Sequence, residues 1–277
     1  MALLYGKPIA DRILSETKRQ REISGIVPGL AVILVGDDAS SQLYVNLKEK
    51  SANEIGVSFE KFLFAPESGM YDILQCIDML NKRDDIHGII VQLPLPSGFD
   101  TDEVIARIDP HKDTDGFHNE TIRQFLAGKQ EYCPVFPRAM IELLRTAGGY
   151  HIGDTALVIA NSDLLGQVMV QALSFEGLQA EYVLSTLPYE ALLTKTREAS
   201  VIITACGKSD LITGDMITEN TVIIDGGISQ INGKVVGDVE RISVENKARF
   251  LTPVPGGVGP VTVATLLARI TDASLQK

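Results

Sequence analysis

Short, continuously apolar segments bounded by glycine constrain the fold of this chain more than any other feature of its sequence. The clearest is Gly29-Leu-Ala-Val-Ile-Leu-Val-Gly36, which has no polar residue between its glycines. A strand of this composition is buried on both faces, as in a parallel sheet covered by helices. Helical spacing follows in 44–55 and 71–81, and further strands are predicted at 57–64 and 86–94. The alternation predicts an α/β fold.

The second half of the chain repeats this alternation after a segment without periodicity. Residues 110–137 contain Pro, Gly, Asp and His in irregular order, so we predict a domain boundary there. A glycine-rich segment at 252–260 precedes an apolar last helix at 261–270, and its backbone donors could meet an anionic or carbonyl group. The other predicted elements are a helix at 138–147 and strands at 155–160, 181–184, 201–204 and 221–225.

The charge of the chain excludes one large class of partner. Its 277 residues carry a formal net charge of -11, whereas nucleic-acid-binding proteins cluster Lys and Arg. The cysteines, Cys76, Cys133 and Cys206, are odd in number and widely separated, which is typical of reduced thiols in the cytoplasm. Charges follow the brief apolar start too soon for a signal peptide or membrane anchor. We therefore expect a cytoplasmic protein with no nucleic-acid or membrane partner.

Several polar residues stand where a ligand could meet them, although each also has a purely structural interpretation. Tyr44 and Lys48 are four apart on a predicted helix and so share a face, but such a pair is usually a half-buried ring beside a solvated amine. Gln92 ends a buried strand, where ligands of open α/β sheets bind, or it caps a turn. Asp113 and Asp115 stand in a turn-forming stretch, which is typical of an Asx turn. No His and Cys spacing predicts a metal site.

Taken together, four of these segments resemble the bifunctional methylenetetrahydrofolate dehydrogenase/methenyltetrahydrofolate cyclohydrolases. The resemblance covers the chain almost from end to end, and the segments stand in the family's order. That combination is far more specific than any single motif. The four segments are Val35-Gly-Asp-Asp-Ala-Ser-Ser-Gln-Leu-Tyr-Val-Asn-Leu-Lys48, Gly88-Ile-Ile-Val-Gln-Leu-Pro-Leu-Pro96, Lys112-Asp-Thr-Asp-Gly-Phe117 and Thr252-Pro-Val-Pro-Gly-Gly-Val-Gly-Pro-Val-Thr262.

The resemblance implies a fold of two α/β domains with the active-site cleft between them. Residues 1–137 would form the folate-binding catalytic domain and 138–260 a Rossmann-like domain that binds NADP or NAD. The last helix, 261–277, would pack back on the first domain. The implied reactions are oxidation of 5,10-methylenetetrahydrofolate and hydrolysis of the 5,10-methenyl product to 10-formyltetrahydrofolate. A homodimer and a place in purine biosynthesis are also implied.

The resemblance further assigns roles to residues at matching positions. Lys48 would be the central acid/base of hydrolysis, because partial desolvation in a cleft weakens a lysine's affinity for its proton. Gln92 would orient Lys48, Tyr44 would lie over the folate, and Asp115 would bind the pterin ring. The remaining folate contacts would be Leu93, Pro255, Gly256, Gly257 and Pro260, and the cofactor contacts Ala160, Asn161, Ser162, Gly166 and Ile228.

The cofactor loop departs from the family's pattern, Gly-Arg-Ser-x-x-Val-Gly-x-Pro. This chain has Ala160-Asn-Ser-Asp-Leu-Leu-Gly-Gln-Val168, so the first glycine, the arginine and the proline are replaced. The glycine lets the backbone approach a ligand, and the arginine binds the added phosphate of NADP. Three hypotheses follow: a bifunctional enzyme using NADP or NAD, a cyclohydrolase with a weakened or lost dehydrogenase, and a folate-binding protein with little turnover. The matching residues around Lys48 count against the third hypothesis. Ser162, Gly166 and the Asp225-Gly-Gly-Ile228 turn could still bind a dinucleotide by backbone contacts, which favours the first narrowly over the second.

Overall fold

The apolar run at Gly29 forms the central strand of a three-stranded parallel sheet. In the computed structural model, which describes residues 1–276, strand β2 (Gly29–Val35) is buried at all seven positions. It pairs along one edge with β3 (Ser58–Phe64) and along the other with β4 (Gly88–Val91). Burial on both faces is why the strand has no polar residue. The predicted α/β fold is confirmed here.

The helix that follows β2 carries Tyr44 and Lys48. Helix α2 (Ala39–Ile55) begins five residues earlier than the spacing predicted, because the Asp38 side chain accepts a hydrogen bond from the Ser41 backbone N–H at 2.7 Å. The helix ends at Gly56, whose φ of 79° lies in the left-handed region that glycine adopts readily. Lys48 is therefore well inside a regular helix with both ends capped. The neighbouring helices are α1 (Gly6–Ser24), α3 (Met70–Asn81) and α4 (Thr101–Ala106).

A second parallel sheet has six strands. Its order is β1, β11, β8, β7, β5, β6, so the strand at Thr155 has neighbours on both sides. Every pair in it is parallel, which brings the carboxyl ends of all its strands to one edge. The strands are β1 (Ala2–Leu3), β5 (Thr155–Ala160), β6 (Gln179–Leu184), β7 (Val201–Ala205), β8 (Val222–Asp225) and β11 (Phe250–Leu251).

Helices and one hairpin complete this part of the chain. The hairpin of β9 (Ser229–Ile231) and β10 (Lys234–Val236) is antiparallel and follows β8. The last helix, α10 (Val258–Leu275), begins before and ends after the 261–270 that its apolar residues predicted. The other helices are α6 (Val135–Ala147), α7 (Asp163–Ser174), α8 (Tyr189–Glu198) and α9 (Arg241–Val244).

The structure corrects the prediction that residues 110–137 are irregular. Helix α5 (Asn119–Leu126) lies within them, and Ile122 and Phe125 are buried on one side of it. The preceding cluster of Pro, Asp and Gly obscured this short helix. Across residues 1–276, no helix is both long and apolar enough to span a membrane.

The chain divides into two compact units, each built from two separate stretches. One contains Met1–Ala10 and Gln124–Thr262, and includes the six-stranded sheet. The other contains Asp11–Arg123 and the chain from Val263 onward, and includes the three-stranded sheet. The domain limits at 137 and 260 stay a prediction from the sequence.

Candidate functional site

Lys48 lies against Gln92 in the unit with the three-stranded sheet. Its side chain is buried, with 8% of the residue's surface exposed. The Nζ atom donates a hydrogen bond to Gln92 Oε1 at 3.0 Å. The interpretation of Lys48 as a solvated amine is therefore wrong, because the amine is enclosed and has a defined partner.

Gln92 is fixed by two further hydrogen bonds. Its backbone N–H donates to the Ile33 carbonyl at 2.9 Å, continuing the β2–β4 pairing by one residue. Its side-chain Nε2 donates to the Leu93 carbonyl at 2.8 Å. Because the amide nitrogen is committed to that carbonyl, the amide oxygen faces the lysine. The amine of Lys48 thus lies at the carboxyl end of β4, hydrogen-bonded to Gln92.

The two aspartates after Lys112 have different surroundings. Asp113 accepts hydrogen bonds from the backbone N–H groups of Gly116, Phe117 and His118, at 2.9 to 3.2 Å. It forms the turn that the sequence predicted for this stretch. Asp113 thus shapes the backbone of this turn. Asp115, two residues later, is partly buried.

Burial dominates the electrostatics of Asp115. Desolvation raises the pKa of its carboxyl above the usual value, and the negative charge of Asp113 acts in the same direction. The positive charges of Lys48 and Arg269 oppose this rise. Burial likewise raises the pKa of the Tyr44 phenol, one helical turn before Lys48. The cluster therefore combines a buried amine, a desolvated carboxyl and a neutral phenol in one unit.

The predicted cofactor loop lies at the carboxyl edge of the six-stranded sheet. Ala160 is fully buried, so its methyl group packs inside the protein. Asn161 and Ser162 are exposed. The Ser162 side chain accepts a hydrogen bond from the Leu165 N–H at 3.3 Å and caps helix α7. The amino terminus of a capped helix at this edge is where a pyrophosphate binds in Rossmann domains.

Gly166 serves packing between helix and sheet. A Cβ atom at this position would lie 2.3 Å from the ring of Tyr182 on β6. In dinucleotide-binding folds, the last glycine of the fingerprint allows this close approach of helix and strand. Gly166 therefore lets α7 lie close against β6.

The turn after β8 presents Ile228 beside the same edge. Asp225 Oδ1 accepts from the N–H groups of Gly227 and Asp238, and Oδ2 accepts from that of Val239. Burial raises the pKa of Asp225 to about 7, and the neighbouring Asp238 adds to the rise. Ile228 is 47% exposed. A buried carboxyl thus shapes the turn that carries an exposed apolar residue.

The glycines of the Pro-Gly-Gly segment are required by the chain's own packing. Gly256 has a φ of 105°, and its carbonyl accepts a hydrogen bond from Gly6 N–H at 2.8 Å. A Cβ atom on Gly257 would lie 2.7 Å from the Pro253 carbonyl oxygen. Pro255 is exposed, and Pro260 is half-buried. Pro255, Gly256, Gly257 and Pro260 belong to the unit with the six-stranded sheet, and Tyr44, Lys48, Gln92, Leu93 and Asp115 to the other.

Two family models cover most of the chain. Residues 4–115 match the catalytic domain of the tetrahydrofolate dehydrogenase/cyclohydrolases, and residues 134–277 match their NAD(P)-binding domain. The chain belongs to the tetrahydrofolate dehydrogenase/cyclohydrolase family. It is therefore a bifunctional enzyme, a dehydrogenase and a cyclohydrolase with an NAD(P)-binding domain.

Relatives in the tetrahydrofolate dehydrogenase/cyclohydrolase family match over nearly their whole length. The bifunctional protein FolD of Moorella thermoacetica is 39% identical over 276 residues, covering 98% of each chain. The bifunctional FolD of Campylobacter jejuni is 34% identical and has a TM-score of 0.93, with 100% and 99% coverage. The Trypanosoma brucei enzyme, solved with NADP and an inhibitor, is 28% identical with a TM-score of 0.93, covering 99% of this chain and 97% of its own. Because all three relatives are bifunctional, they support neither alternative hypothesis.

The carboxyl edge of the six-stranded sheet fits the dinucleotide that the family description requires. It combines the capped amino terminus of α7, the exposed Asn161 and the exposed Ile228. The methyl group of Ala160 is buried inside the protein and does not stand on the surface of this edge.

Sequence reasoning missed Lys208 and Asp238 at this edge. Lys208 follows β7 and donates from Nζ to the Ser185 carbonyl at 2.8 Å, and Asp238 is fully buried among loop donors. The sequence could have indicated Lys208, because it follows Cys206-Gly207 directly after a buried strand, where ligands of α/β sheets bind.

Proposed function

We propose that this enzyme oxidises 5,10-methylenetetrahydrofolate with NADP and hydrolyses 5,10-methenyltetrahydrofolate to 10-formyltetrahydrofolate, with Lys48 as the acid/base of hydrolysis. The observation that carries the assignment is the buried Lys48 amine bonded to Gln92 Oε1 at 3.0 Å. The same amine is close enough to Asp115 for its charge to influence the pKa of that carboxyl.

Hydrolysis of the methenyl group requires proton transfers that Lys48 can perform. Water adds to the methenyl carbon and must lose a proton. The ring nitrogen whose bond to that carbon breaks must gain a proton to become an amine. A side-chain amine whose position is fixed can remove one proton from the attacking water and give it to the departing nitrogen. As the carbon–nitrogen bond breaks, the hydroxyl of the adduct loses its remaining proton to solvent and becomes the formyl C=O. Gln92 contributes by binding the amine through an acceptor that carries no charge, so it does not compete for the proton.

Asp115 and Tyr44 are proposed to bind the folate. The edge of a pterin ring carries N–H donors, and a desolvated carboxyl is a strong acceptor for them. The half-buried Tyr44 ring offers an apolar face for the flat substrate. Leu93, Pro255, Gly256, Gly257 and Pro260 are the further proposed folate contacts.

The cofactor contacts are proposed at the carboxyl edge of the six-stranded sheet. A nicotinamide cofactor held there would supply the hydride acceptor for the oxidation. Ala160 contributes its backbone, Asn161 and Ser162 their exposed groups, and Ile228 an apolar surface, while Gly166 positions α7. NAD is the alternative cofactor, because Asn161 stands where the family has arginine.

A cellular context accompanies these roles. We propose a cytoplasmic homodimer that supplies 10-formyltetrahydrofolate for purine biosynthesis. The acidic net charge of -11 and the three free cysteines support the cytoplasmic assignment. Sedimentation equilibrium of the purified chain tests the dimer directly, since a monomeric mass contradicts it.

The test of the acid/base assignment compares two lysines of the same helix. We expect Lys48→Ala to lower the cyclohydrolase rate at least about a hundredfold, the usual contribution of a positioned acid/base group. Lys50→Ala removes the same charge from an exposed position of α2 and is expected to keep the parent rate. The rate is followed as loss of methenyltetrahydrofolate, with circular dichroism to verify folding.

Two results would contradict the proposal. A folded Lys48→Ala protein with the parent cyclohydrolase rate would remove Lys48 from the chemistry. Parent enzyme that reduces neither NADP nor NAD with methylenetetrahydrofolate would contradict the dehydrogenase assignment while leaving the hydrolytic one intact.

A further inference from the structure

The end of strand β6 determines which dinucleotide this fold prefers. In Rossmann domains, the residues after the second strand meet the adenosine ribose, and an acidic side chain there binds the 2′-hydroxyl of NAD. In this chain β5, α7 and β6 form that unit, and β6 is followed by Ser185-Thr186-Leu187. These three residues include no acid. The position therefore lacks the acceptor that favours NAD.

A cation occupies this place instead. Lys208 follows β7, which is separated from β6 only by β5, and all three strands end at the same edge. Its Nζ atom donates to the carbonyl oxygen of Ser185 at 2.8 Å. The lysine is exposed. Its positive charge thus lies in the segment where the ribose binds, and solvent or a ligand can reach it.

The base of this lysine is anchored by a buried carboxylate. Asp238, which is 0% exposed, accepts from the Lys208 backbone N–H at 2.8 Å through Oδ1. Its Oδ2 accepts from the Cys206 N–H and from the Thr204 hydroxyl, both at 2.7 Å. Cys206 and Lys208 belong to the loop after β7, so the backbone of this loop is held at two points, and Thr204 ties the end of the strand to the same carboxylate. A fixed backbone with an exposed amine suits a phosphate contact, because less of the loop must be ordered on binding.

Asp163, the acidic residue at the start of α7, is hydrogen-bonded to strand β6 and not to Lys208. Asp163 accepts a hydrogen bond from the Tyr182 hydroxyl at 3.0 Å. This interaction links the start of α7 to β6. The carboxylate of Asp163 is thus directed to a phenol of β6.

We propose that Lys208 selects NADP over NAD by binding the 2′-phosphate of the adenosine ribose. It supplies, from a different loop, the positive charge that Asn161 does not provide. An ammonium group has three donors, so the bond to Ser185 leaves two for phosphate oxygens. This inference rests on the proposed function, because it requires the dinucleotide to lie at this edge.

The test measures binding of the adenosine half alone, apart from catalysis. Isothermal titration calorimetry gives the Kd of 2′,5′-ADP and of 5′-AMP for the full chain. We expect the parent protein to bind 2′,5′-ADP more tightly, and Lys208→Gln to lose about tenfold of that preference, as for one charge-assisted hydrogen bond. The Kd of 5′-AMP should stay unchanged, and Lys208→Arg should retain the preference.

Lys247→Gln is the matched control. Lys247 also donates from Nζ to a backbone carbonyl, that of Gly214, at 2.7 Å, and its replacement removes the same charge. It precedes β11, so it lies toward the opposite edge of the parallel sheet. We expect Lys247→Gln to keep the parent preference for 2′,5′-ADP.

Three outcomes would overturn the inference: no preference for 2′,5′-ADP in the parent protein, an unchanged preference in Lys208→Gln, or an equal loss in Lys247→Gln. Hydride transfer by the parent enzyme separates this inference from the proposed function. Equal rates with NAD and NADP, together with any of these outcomes, reject the role of Lys208 and leave the dehydrogenase standing. Absence of transfer with both cofactors rejects the dehydrogenase itself.

Discussion

Asp225 shows how one buried side chain connects stability to pH. Its carboxyl accepts three backbone hydrogen bonds in the turn after β8, and burial raises its pKa from 3.8 to about 7. The folded protein therefore keeps this proton to higher pH than the unfolded chain does. Between those two values the unfolded chain alone has lost its proton, so this group's contribution to stability falls as pH rises toward 7.

Replacement of Asp225 by Asn should remove that pH dependence. The Asn amide would place a donor against one of the backbone N–H groups, so we expect a loss of about 1–3 kcal/mol near pH 4. The difference in free energy of unfolding between the two proteins should narrow as pH rises from about 4 toward 7. Urea unfolding at several pH values measures this difference, with Asp210→Asn as an exposed control. A difference in free energy of unfolding that stays constant with pH would show that Asp225 does not titrate in this range.

Individual site residues were predictable where local geometry determines them. The four-residue spacing of Tyr44 and Lys48 indicates one helix face, and Gln92 was predicted at the end of its strand. The Lys48–Gln92 bond joins positions 44 residues apart, and the Lys208–Ser185 bond joins two separate loops. Such pairings depend on strand order, which no local pattern encodes.

At the scale of elements, strands with two buried faces were the most predictable. Thr155–Ala160 and Gly29–Val35 match the predicted runs, because their buried positions, all but the exposed Thr155, are occupied by apolar residues. Strands β1 and β11 have two residues each, too few to show a period. The β9–β10 hairpin did carry a signal, since Asn232 and Gly233 have φ values of 51° and 76° and Asn-Gly is the favoured hairpin turn.

The contact of helix α7 with strand β6 gives a prediction about Gly166. Alanine there would place a methyl group 2.3 Å from the Tyr182 ring, so helix or ring must move. We expect Gly166→Ala to lower stability by about 1–3 kcal/mol, measured as a drop in Tm. Gln167→Ala is the control, because it changes an exposed position of the same helix to alanine, which favours a helix.

A second variant tests whether crowding against the Tyr182 ring causes the loss of stability in Gly166→Ala. Adding Tyr182→Ala to Gly166→Ala removes the ring, so the two changes together should cost less than the sum of their separate costs. Strict additivity would argue that the contact between α7 and β6 is not what requires glycine at 166.

At the scale of the whole molecule, the first residues contribute to the six-stranded sheet. Ala2 N–H donates to the Arg249 carbonyl at 3.0 Å, and Leu4 N–H to the Leu251 carbonyl at 2.9 Å. Leu3 packs against the apolar core that contains Leu251. Residues Ala2–Leu3 thus form an edge strand, which the sequence analysis did not predict.

Deleting Ala2–Tyr5 should therefore destabilise the protein. Loss of these hydrogen bonds and of the Leu3 contact is expected to cost about 2–4 kcal/mol. Chemical unfolding of the parent and the deletion variant measures the cost, and removal of Gln276 and Lys277 is the control. An unchanged unfolding midpoint would mean that strand β1 adds nothing to stability in solution.

The pairing of β1 with β11 also has a consequence for biosynthesis. Phe250, the partner of Ala2, leaves the ribosome roughly 250 residues later, a delay of about 10–50 s at ordinary rates of translation. Throughout that interval the nascent chain displays a strand whose partner has not yet been made. Chaperones that bind emerging segments should therefore meet this amino terminus early and release it only when synthesis is nearly finished.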